Sequence, residues 1–345
     1  MTLLAGDLGG TKTLLALFDD AGTLLHKQRF ASQQHPDLES MVTAFLAATA
    51  KDLHPQVMAL GVAGPVAKHA GFETCDVTNL PYRIDGRSIA ARFGFASVRL
   101  VNDFYAVAAA VSVLARGGSF PGLSLCSLHP LAHAEPGSPI AVLGAGTGLG
   151  EALIAFHGDE PVILPTEGGH TDFAPHDDLE VQLWRYLQRR HPDHVSQERL
   201  VCGPGIATLY AFFRDERIGT ESPQVAAELA CCDDPARVIS RHALAKTDPL
   251  CEQVMDRFVM LYGAEAGNLA LKSLARGGVY LAGGIAAKNL PLFTTGLFVS
   301  HFARKGRFSG LLSSIPIHVV QGEEIGLFGA LTIAKSIQQG QIRSS

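Results

Sequence analysis

The sequence predicts an α/β protein of two domains, each built on a mixed β-sheet with helices on its faces, and three observations carry this prediction. The chain has 345 residues, more than one hydrophobic core usually organises. Short apolar segments typical of strands alternate with segments typical of helices, as in other α/β folds. An apolar strand, a glycine turn and a second strand at 3–18 recur at 140–156, which indicates an internal duplication.

The first part of the chain contains the elements of one such sheet. A hairpin is predicted at 3–19, with Gly9 and Gly10 at the bend, and a third strand at 22–30. The next predicted elements are a helix at about 38–51, a strand at 57–63, a short helix at 86–93, a strand at 98–101 and a helix at about 103–115. Hairpin strands followed by alternating strands and helices predict a mixed sheet.

The second part begins after a segment at 117–139 that is rich in Gly, Pro and Ser, which predicts a domain boundary or a long loop. Strands are predicted from 140 to about 164, on both sides of the glycine turn, and helices follow near 177–190, 203–213, 222–231, 234–246 and 249–275. A strand at 278–284, a helix, a strand at 315–320 and a last helix near 323–338 complete the pattern.

Composition excludes several classes of function. The chain is 47% hydrophobic and 18% charged, which is typical of a compact globular protein. Its net charge is −5 and its basic residues are scattered, so we expect no nucleic-acid partner. No apolar run reaches the roughly 20 residues that span a bilayer, and the first residues do not resemble a signal peptide. We therefore expect no membrane association, a cytoplasmic location and six reduced cysteines.

Three turns in which an apolar strand runs into glycines are candidate phosphate sites, at 6–13, 144–150 and 281–286. The backbone N–H groups of such a turn can surround an anion, although a hairpin needs glycine for structural reasons too. The P-loop string is absent, and the setting of 144–150 between strands is not that of a dinucleotide-binding turn. Asp7 ends the first strand, where a carboxylate either holds the hydrated Mg²⁺ of a nucleotide or caps the turn.

A polar pair, Asn102 and Asp103, stands between an apolar strand and an apolar helix. One interpretation is that the pair caps the helix. Another is that Asp103 accepts a proton, because the positive end of the helix dipole favours the ionised carboxylate. Open α/β sheets bind their ligands at the carboxyl ends of strands, which is where this pair lies.

Several strings in this sequence together resemble the bacterial glucokinase family, from near residue 3 to the last helix. They are DLGGT at 7–11, VAGPV at 62–66, TNLPYRID at 78–85, LVNDFYAVA at 100–108, GAGTGLG at 144–150, EGGHTDFAP at 167–175, HVSQERLVCGPGI at 194–206 and AGGIA at 282–286. Lys12 departs from the Asn that commonly follows the Thr in this family and is similar to the related ROK sugar kinases. The chain lacks the cysteine-rich zinc motif of those kinases.

The resemblance implies the actin-like ATPase fold, with two ribonuclease-H-like domains and a central cleft. It places a small domain at 1–115 plus 322–345 and a large domain at 116–321. The activity it implies is ATP-dependent phosphorylation of D-glucose to glucose 6-phosphate, with ATP and Mg²⁺ as cofactors and a homodimer as the assembly.

The resemblance also assigns roles to residues. Asp103 is expected to be the catalytic base, and glucose is expected to bind Asn102, Asp103, Glu167, His170 and Glu198. ATP is assigned to the glycine turns, at Gly6, Asp7, Leu8, Gly9, Gly10, Thr11, Gly146, Thr147, Gly148, Gly283 and Gly284, and Mg²⁺ to Asp7 through water. The alternatives are a kinase of another hexose, such as mannose or fructose, a non-catalytic sugar-sensing protein, and an ATPase of the same fold that needs no sugar.

Overall fold

The computed structural model describes residues 2–50, 53–69, 71–78, 80–81 and 83–340. Parts of three predictions lie outside these residues: the end of the helix at 38–51, Asn79 and Tyr82 of the string at 78–85, and the first and last residues of the predicted small domain. The chain divides into two compact units. We call Met1–Leu123 with Gly322–Ser345 the N-terminal unit, and Ser124–Gln321 the central unit.

Among its described residues, the N-terminal unit begins with eight strands and three helices. They are β1 Thr2–Leu8, β2 Lys12–Asp19, β3 Leu24–Ala31, α1 Leu38–Ala47, β4 Pro55–Val62, β5 Val66–His69, β6 Phe72–Asp76, β7 Arg83–Asp85, α2 Gly86–Phe93, β8 Ser97–Asn102 and α3 Asp103–Leu114.

The central unit follows with a second set of strands and a larger number of helices. They are β9 Ser124–Ser127, β10 Ile140–Ala145, β11 Leu149–His157, β12 Glu160–Thr166, α4 Asp178–Gln188, α5 Gly203–Asp215, α6 Pro223–Ala230, α7 Pro235–Ala245, α8 Pro249–Ser273, β13 Gly278–Leu281, α9 Gly284–Lys288, α10 Leu290–Phe293, α11 Leu297–Ala303, α12 Ser309–Leu312 and β14 Ile317–Gln321. The chain then returns to the N-terminal unit with α13 Ile325–Gln338.

The N-terminal unit is built on a five-stranded mixed sheet in the order β3-β2-β1-β4-β8. β1, β4 and β8 are parallel to one another, and β2 is antiparallel to both of its neighbours, β1 and β3. Helices α3 and α13 pack closely, because a Cβ at Gly329 of α13 would overlap the carbonyl oxygen of Ala106 in α3. The apolar residues of the sheet and of α1 form one buried cluster that includes Leu4, Leu60 and Phe45.

The central unit is built on a six-stranded mixed sheet in the order β12-β11-β10-β13-β14-β9. Its first five strands repeat the arrangement of the N-terminal sheet. An antiparallel pair, β12 and β11, lies at one edge, and three strands parallel to one another, β10, β13 and β14, follow it. The prediction of two mixed sheets flanked by helices is therefore confirmed, and the shared strand order is the one that a duplication requires.

Helix α8 is the centre of the second core. Gly263 and Gly267 lie four residues apart on α8, and a Cβ at either would overlap a carbonyl of α11, at Phe298 and Phe302 respectively. The two glycines therefore let the helix backbones approach closely. No helix in the described part of the chain is long and apolar enough to cross a bilayer.

The structure corrects several predicted elements. The segment at 117–139 contains a short strand, β9, which pairs with β14 at the edge of the central sheet. A separate three-stranded sheet, β5-β6-β7, was not predicted. The strand predicted at 278–284 ends at Leu281, because Gly283 already caps the following helix α9.

Candidate active site

The assigned residues of the N-terminal unit lie where three parallel strands end. The register of the sheet pairs Asp7 in β1 with Gly61 in β4, and Val62 with Asn102 in β8. A Cβ at Gly61 would lie 3.6 Å from the Cα of Asp103, so the absence of a side chain lets the start of α3 approach the sheet. The carboxyl edge of the sheet thus brings Asp7 and the Asn102–Asp103 pair into one neighbourhood.

The carboxyl group of Asp7 has an unusual environment. Burial and then the negative charge of Asp103 raise the pKa of Asp7 to about 6, while the nearby Lys12 ammonium acts to lower it. A Cβ at Gly326, in the first turn of α13, would lie 2.8 Å from Oδ2 of Asp7, so the carboxyl group packs against the positive end of that helix. Lys12 is therefore part of this site, although no role was predicted for it.

Asn102 and Asp103 both cap helix α3. Oδ1 of Asn102 accepts the backbone N–H groups of Phe104, at 2.9 Å, and Tyr105, at 3.3 Å. Oδ1 of Asp103 also accepts the N–H of Phe104, at 2.8 Å. The capping interpretation is therefore correct, and it leaves the amide Nδ2 of Asn102 as the atom of that side chain to contact a ligand.

The first glycine turn is held by internal hydrogen bonds. The N–H of Gly9 donates to the carbonyl of Lys12 at 2.9 Å, and the hydroxyl of the buried Ser32 donates to the carbonyl of Gly9 at 2.7 Å. The side chain of Leu8 is fully buried, and a Cβ at Gly6 would overlap the side chain of Leu60. Gly6 and Leu8 lie in β1, which pairs with β2 on one side and with β4 on the other, and neither offers a side chain to a ligand. Gly9 and Gly10 are half-buried and Thr11 is exposed, so the turn is the accessible part of this segment.

The second glycine turn joins β10 and β11 in the central unit. The N–H of Gly146 donates to the carbonyl of Gly148, and the N–H of Gly203 at the start of α5 donates to the carbonyl of Gly146, both at 2.8 Å. In the described part of the chain, the structure gives no hydrogen-bond partner to the N–H groups of Thr147 and Gly148. Two adjacent N–H groups are the donors that an anion needs.

A groove of about 1400 Å³ opens beside this turn, within the central unit. Its walls are the turn itself, the start of α5, helix α7 and α9, with Arg237, Arg241 and Lys288 as the basic residues that line it. Gly284 is part of the wall, while Gly283 packs on the end of β10, since a Cβ there would lie 2.5 Å from the carbonyl oxygen of Ala145. The groove is large enough for a nucleotide, and Gly146 and Thr147 of the second glycine turn are part of its wall.

Glu167 and His170 stand on one short turn that follows β12. Glu167 precedes a single 3₁₀ turn at 168–170, and a spacing of three residues places the two exposed side chains on the same side of it. The glycines between them are required by packing against β11: a Cβ at Gly169 would overlap the carbonyl of Leu149, and one at Gly168 would overlap the carboxyl group of Glu151.

Glu198 lies on a neighbouring 3₁₀ turn at 197–199. The N–H of Gln197 donates to the carbonyl of Thr171 at 2.9 Å, which ties this turn to the one that carries His170. Oε2 of Glu198 accepts the N–H of Leu149 at 2.8 Å. Glu167, His170 and Glu198 are thus collected around the first residues of β11, as the prediction of a shared sugar site requires.

Two buried acids in the central unit were not assigned from the sequence. Glu151 in β11 is 2% exposed and Glu265 in α8 is 1% exposed, and each has one oxygen without a hydrogen-bond partner. Burial, and then the charge of Glu265, raises the pKa of Glu151 to about 8. No sequence signal marks them, because a lone Glu in a strand or a helix is usually at the surface.

No three His, Cys, Asp or Glu side chains in the described residues form a metal-binding group. A magnesium ion bound to a nucleotide needs only one or two carboxylates of the protein, so a site of that kind is not expected to form such a group.

Comparison with known proteins identifies the family. A glucokinase family model matches residues 4–337. A glucokinase of Nostoc sp. is 39% identical over 347 residues, which cover 96% of this chain and 98% of the relative. The crystal structure of a glucokinase from an Antarctic psychrotroph is 29% identical, with a TM-score of 0.80, and covers 96% of this chain and 98% of that one.

A more distant structural match is a ROK family glucokinase from Streptomyces griseus in complex with glucose and AMPPNP. It is 19% identical, with a TM-score of 0.64, and covers 97% of this chain and all of that one. This match supports the fold, and the family model and the Nostoc relative support the function class. The chain therefore belongs to the glucokinase family, and it is a sugar kinase with the actin-like ATPase fold.

Proposed function

We propose that this protein transfers the terminal phosphoryl group of ATP to the 6-hydroxyl of D-glucose, with Asp103 as general base. The observation that carries the proposal is the glucokinase match over residues 4–337, which includes every residue assigned to the site. The polar pair at the end of β8 and the phosphate turn at the end of β10 support it, because both lie where α/β sheets bind ligands.

Asp103 would take the proton of the 6-hydroxyl as that oxygen attacks the γ-phosphorus. The bond from the γ-phosphorus to the bridging oxygen breaks, and the products are glucose 6-phosphate and ADP. Asp103 suits this role because its position at the start of α3 favours the ionised carboxylate. The hydrogen bond from Phe104 fixes the orientation of its side chain.

Glucose would be held by Asn102, Asp103, Glu167, His170 and Glu198. Carboxylates accept hydrogen bonds from sugar hydroxyls, and the amide Nδ2 of Asn102 donates one. A sugar that misplaces a hydroxyl would leave one of these groups unpaired, which is the basis of strong discrimination between hexoses.

The nucleotide would lie in the groove of the central unit, with its phosphates at the N–H groups of Thr147 and Gly148 and near Gly283 and Gly284. The first glycine turn, from Gly6 to Thr11, would contribute backbone groups in the N-terminal unit. The AMPPNP in the Streptomyces griseus structure supports a nucleoside triphosphate as the phosphoryl donor.

Asp7 is a suitable ligand for hydrated Mg²⁺, since its carboxyl group lies near the carboxylate of Asp103, and a divalent cation would offset the burial and the negative charge that raise its pKa to about 6. When bound, Mg²⁺ neutralises negative charge on the transferred phosphoryl group.

We also propose a small domain at 1–115 plus 322–345 and a large domain at 116–321. We further propose that the protein is a homodimer, and light scattering after gel filtration would test this assembly.

The activity is tested by measuring ADP release from ATP with no sugar, glucose, mannose or fructose. The proposal expects release that depends on glucose and is much slower with the other hexoses. Release without sugar would identify an ATPase, and glucose binding without release would identify a sugar-sensing protein. Equal rates with mannose would show a hexose kinase of broader specificity.

The role of Asp103 is tested by Asp103→Asn. We expect kcat to fall by at least about 100-fold, as for other general bases, while glucose affinity falls by no more than about tenfold. Asp85→Asn is the matched control, because Asp85 caps α2 through the N–H groups of Arg87 and Ser88 and has no assigned role in the site. A wild-type kcat with a raised KM for glucose would show that Asp103 is only a ligand and a cap.

A further inference from the structure

The turn that joins β10 and β11 is held from outside by one short segment, residues 198–203. Gly203 donates its N–H to the carbonyl of Gly146, and Glu198 accepts the N–H of Leu149, each at 2.8 Å. These two hydrogen bonds enclose Thr147 and Gly148 from both sides. The conformation of the turn therefore depends on the segment as well as on its own glycines.

The carboxylate of Glu198 lies directly against the turn. A Cβ at Gly148 would overlap Oε2 of Glu198, so the glycine is required for that oxygen to reach the N–H of Leu149. A Cβ at Gly146 would meet nothing within 4 Å. The two glycines of the turn therefore differ, and only Gly148 is needed for the contact with Glu198.

The backbone of Glu198 is fixed as well. The thiol of Cys202 donates to the carbonyl of Glu198 at 2.8 Å, and its sulfur accepts the N–H of Gly205 at 3.3 Å. Cys202 is buried and caps α5. Glu198 is therefore held by its backbone on one side and by its carboxylate on the other, as a residue that positions a neighbour must be.

We propose that Glu198 is a positioning residue for the phosphates of the nucleotide, in addition to its assigned contact with glucose. By taking the N–H of Leu149, it fixes the turn so that the N–H groups of Thr147 and Gly148 remain available for phosphate oxygens. The inference rests on the proposed function, since it takes this turn as the phosphate site. One side chain then serves both substrates, so its loss affects the nucleotide even when no sugar is present.

The test measures binding of ADP and of adenosine, without sugar, by calorimetry on full-length wild-type protein and variants. Glu198→Ala is expected to weaken ADP about tenfold, the usual effect of losing one hydrogen bond to a charged group. Adenosine affinity is expected to stay within about twofold, because adenosine lacks the phosphates. Glu198→Gln, whose amide oxygen can still accept the N–H of Leu149, is expected to restore most of the ADP affinity.

Glu167→Ala is the matched control, since Glu167 is another proposed sugar ligand on a neighbouring turn and has no hydrogen bond to residues 146–149. It is expected to weaken glucose and to leave ADP unchanged. If Glu198→Ala also leaves ADP unchanged, or weakens ADP and adenosine equally while the protein remains folded, the positioning role is wrong. Should Glu198→Ala fail to fold, Glu198→Asp, whose shorter side chain retracts the acceptor, is judged by the same criterion.

The test separates this inference from the proposed function. Wild-type protein that binds no ADP and releases none in the presence of glucose would contradict the proposed function itself. Wild-type protein that phosphorylates glucose, with ADP affinity independent of Glu198, would contradict only the inference.

Discussion

Replacing Glu151 by Gln is expected to remove much of the pH dependence of the stability of the central unit above pH 6.5. Glu151 is a buried residue of β11, and its carboxyl group packs on Gly168 in the turn that follows Glu167. The charged groups near it are Glu265 and Lys272 on α8. Burial, and to a smaller extent the charge of Glu151, raises the pKa of Tyr262 on the same helix. Burial and the neighbouring acid together disfavour the ionised form.

The sign follows from the direction of the pKa shift. The pKa of Glu151 is raised from 4.5 to about 8, so between these values the folded protein holds a proton that the unfolded chain releases. The stabilisation is complete below pH 4.5 and is lost as the pH rises to about 8. The slope is at most about 1.4 kcal/mol per pH unit and decreases as the pH approaches 8, so the loss amounts to roughly 2 kcal/mol between pH 6.5 and 8.5.

The assay is urea unfolding of wild type, Glu151→Gln and Glu160→Gln at pH 6.5 and 8.5. Glu160 is exposed at the start of β12 and serves as the control for removing a carboxylate from the same hairpin. Working above pH 6.5 avoids the titration of Asp7, whose raised pKa is about 6. We expect the free energy of unfolding to fall with pH in wild type and in Glu160→Gln, and to change little in Glu151→Gln.

One result would refute the reasoning about Glu151. If Glu151→Gln loses as much unfolding free energy between pH 6.5 and 8.5 as wild type does, the acid is ionised in the folded protein or is not linked to folding in this range. The contribution would then have to come from another group, and the view of Glu151 as a neutral support for the turn at 168–170 would be wrong.

Two further predictions follow from contacts in the central unit. Gly148→Ala should displace the Glu198 carboxylate and weaken both ADP and glucose, whereas Gly146→Ala should keep Glu198 in place and leave glucose affinity unchanged; an equal loss of glucose affinity in the two variants, measured by calorimetry, would contradict this. Arg257→Ala should cost about 3 kcal/mol in urea unfolding, because it leaves Oε1 of the buried Glu180 without the Arg257 guanidinium at 2.9 Å, while Oε2 keeps the N–H of His176. Arg189→Ala, which breaks an exposed pair, should cost less than about 1 kcal/mol, and similar costs would contradict the role of burial.

The sequence was a good guide to the elements with long apolar runs. β1, β2 and β10 are buried over most of their length, so hydrophobic pattern alone marks them as strands, and the glycine turns between them mark hairpins. Short strands were missed for the opposite reason. β9 is four largely exposed residues, SLCS, and becomes a strand only because the edge of β14 is available to pair with it.

The places of Asn102 and Asp103 in the fold could be predicted from the sequence, whereas the contacts around the candidate site could not. Asn102 and Asp103 stand where the strand and helix pattern placed them, and the structure adds the hydrogen bonds by which they cap α3. Lys12 and Glu151 could not be assigned, because the effect of each depends on a carboxyl group that only the fold brings near, Asp7 for one and Glu265 for the other. The contact of Glu198 with Leu149 joins residues 49 positions apart, so no local pattern could show it.

The glycines of the candidate site differ in whether a substitution there can test for a contact with phosphate. The glycines of the three turns were predicted to leave room for phosphates, yet at several of them the space is already filled by the protein: by Leu60 at Gly6, Glu198 at Gly148 and Ala145 at Gly283. A substitution at any of these disturbs packing first, so a loss of nucleotide binding there does not reveal a phosphate contact. Gly146 and Gly284 differ, since a Cβ at either meets nothing within 4 Å and both line the groove. If phosphates lie in that groove, the methyl group that Gly→Ala adds at either position would meet the ligand in space that the protein leaves open. Loss of ADP binding without loss of stability in these variants would therefore indicate a direct contact with the nucleotide.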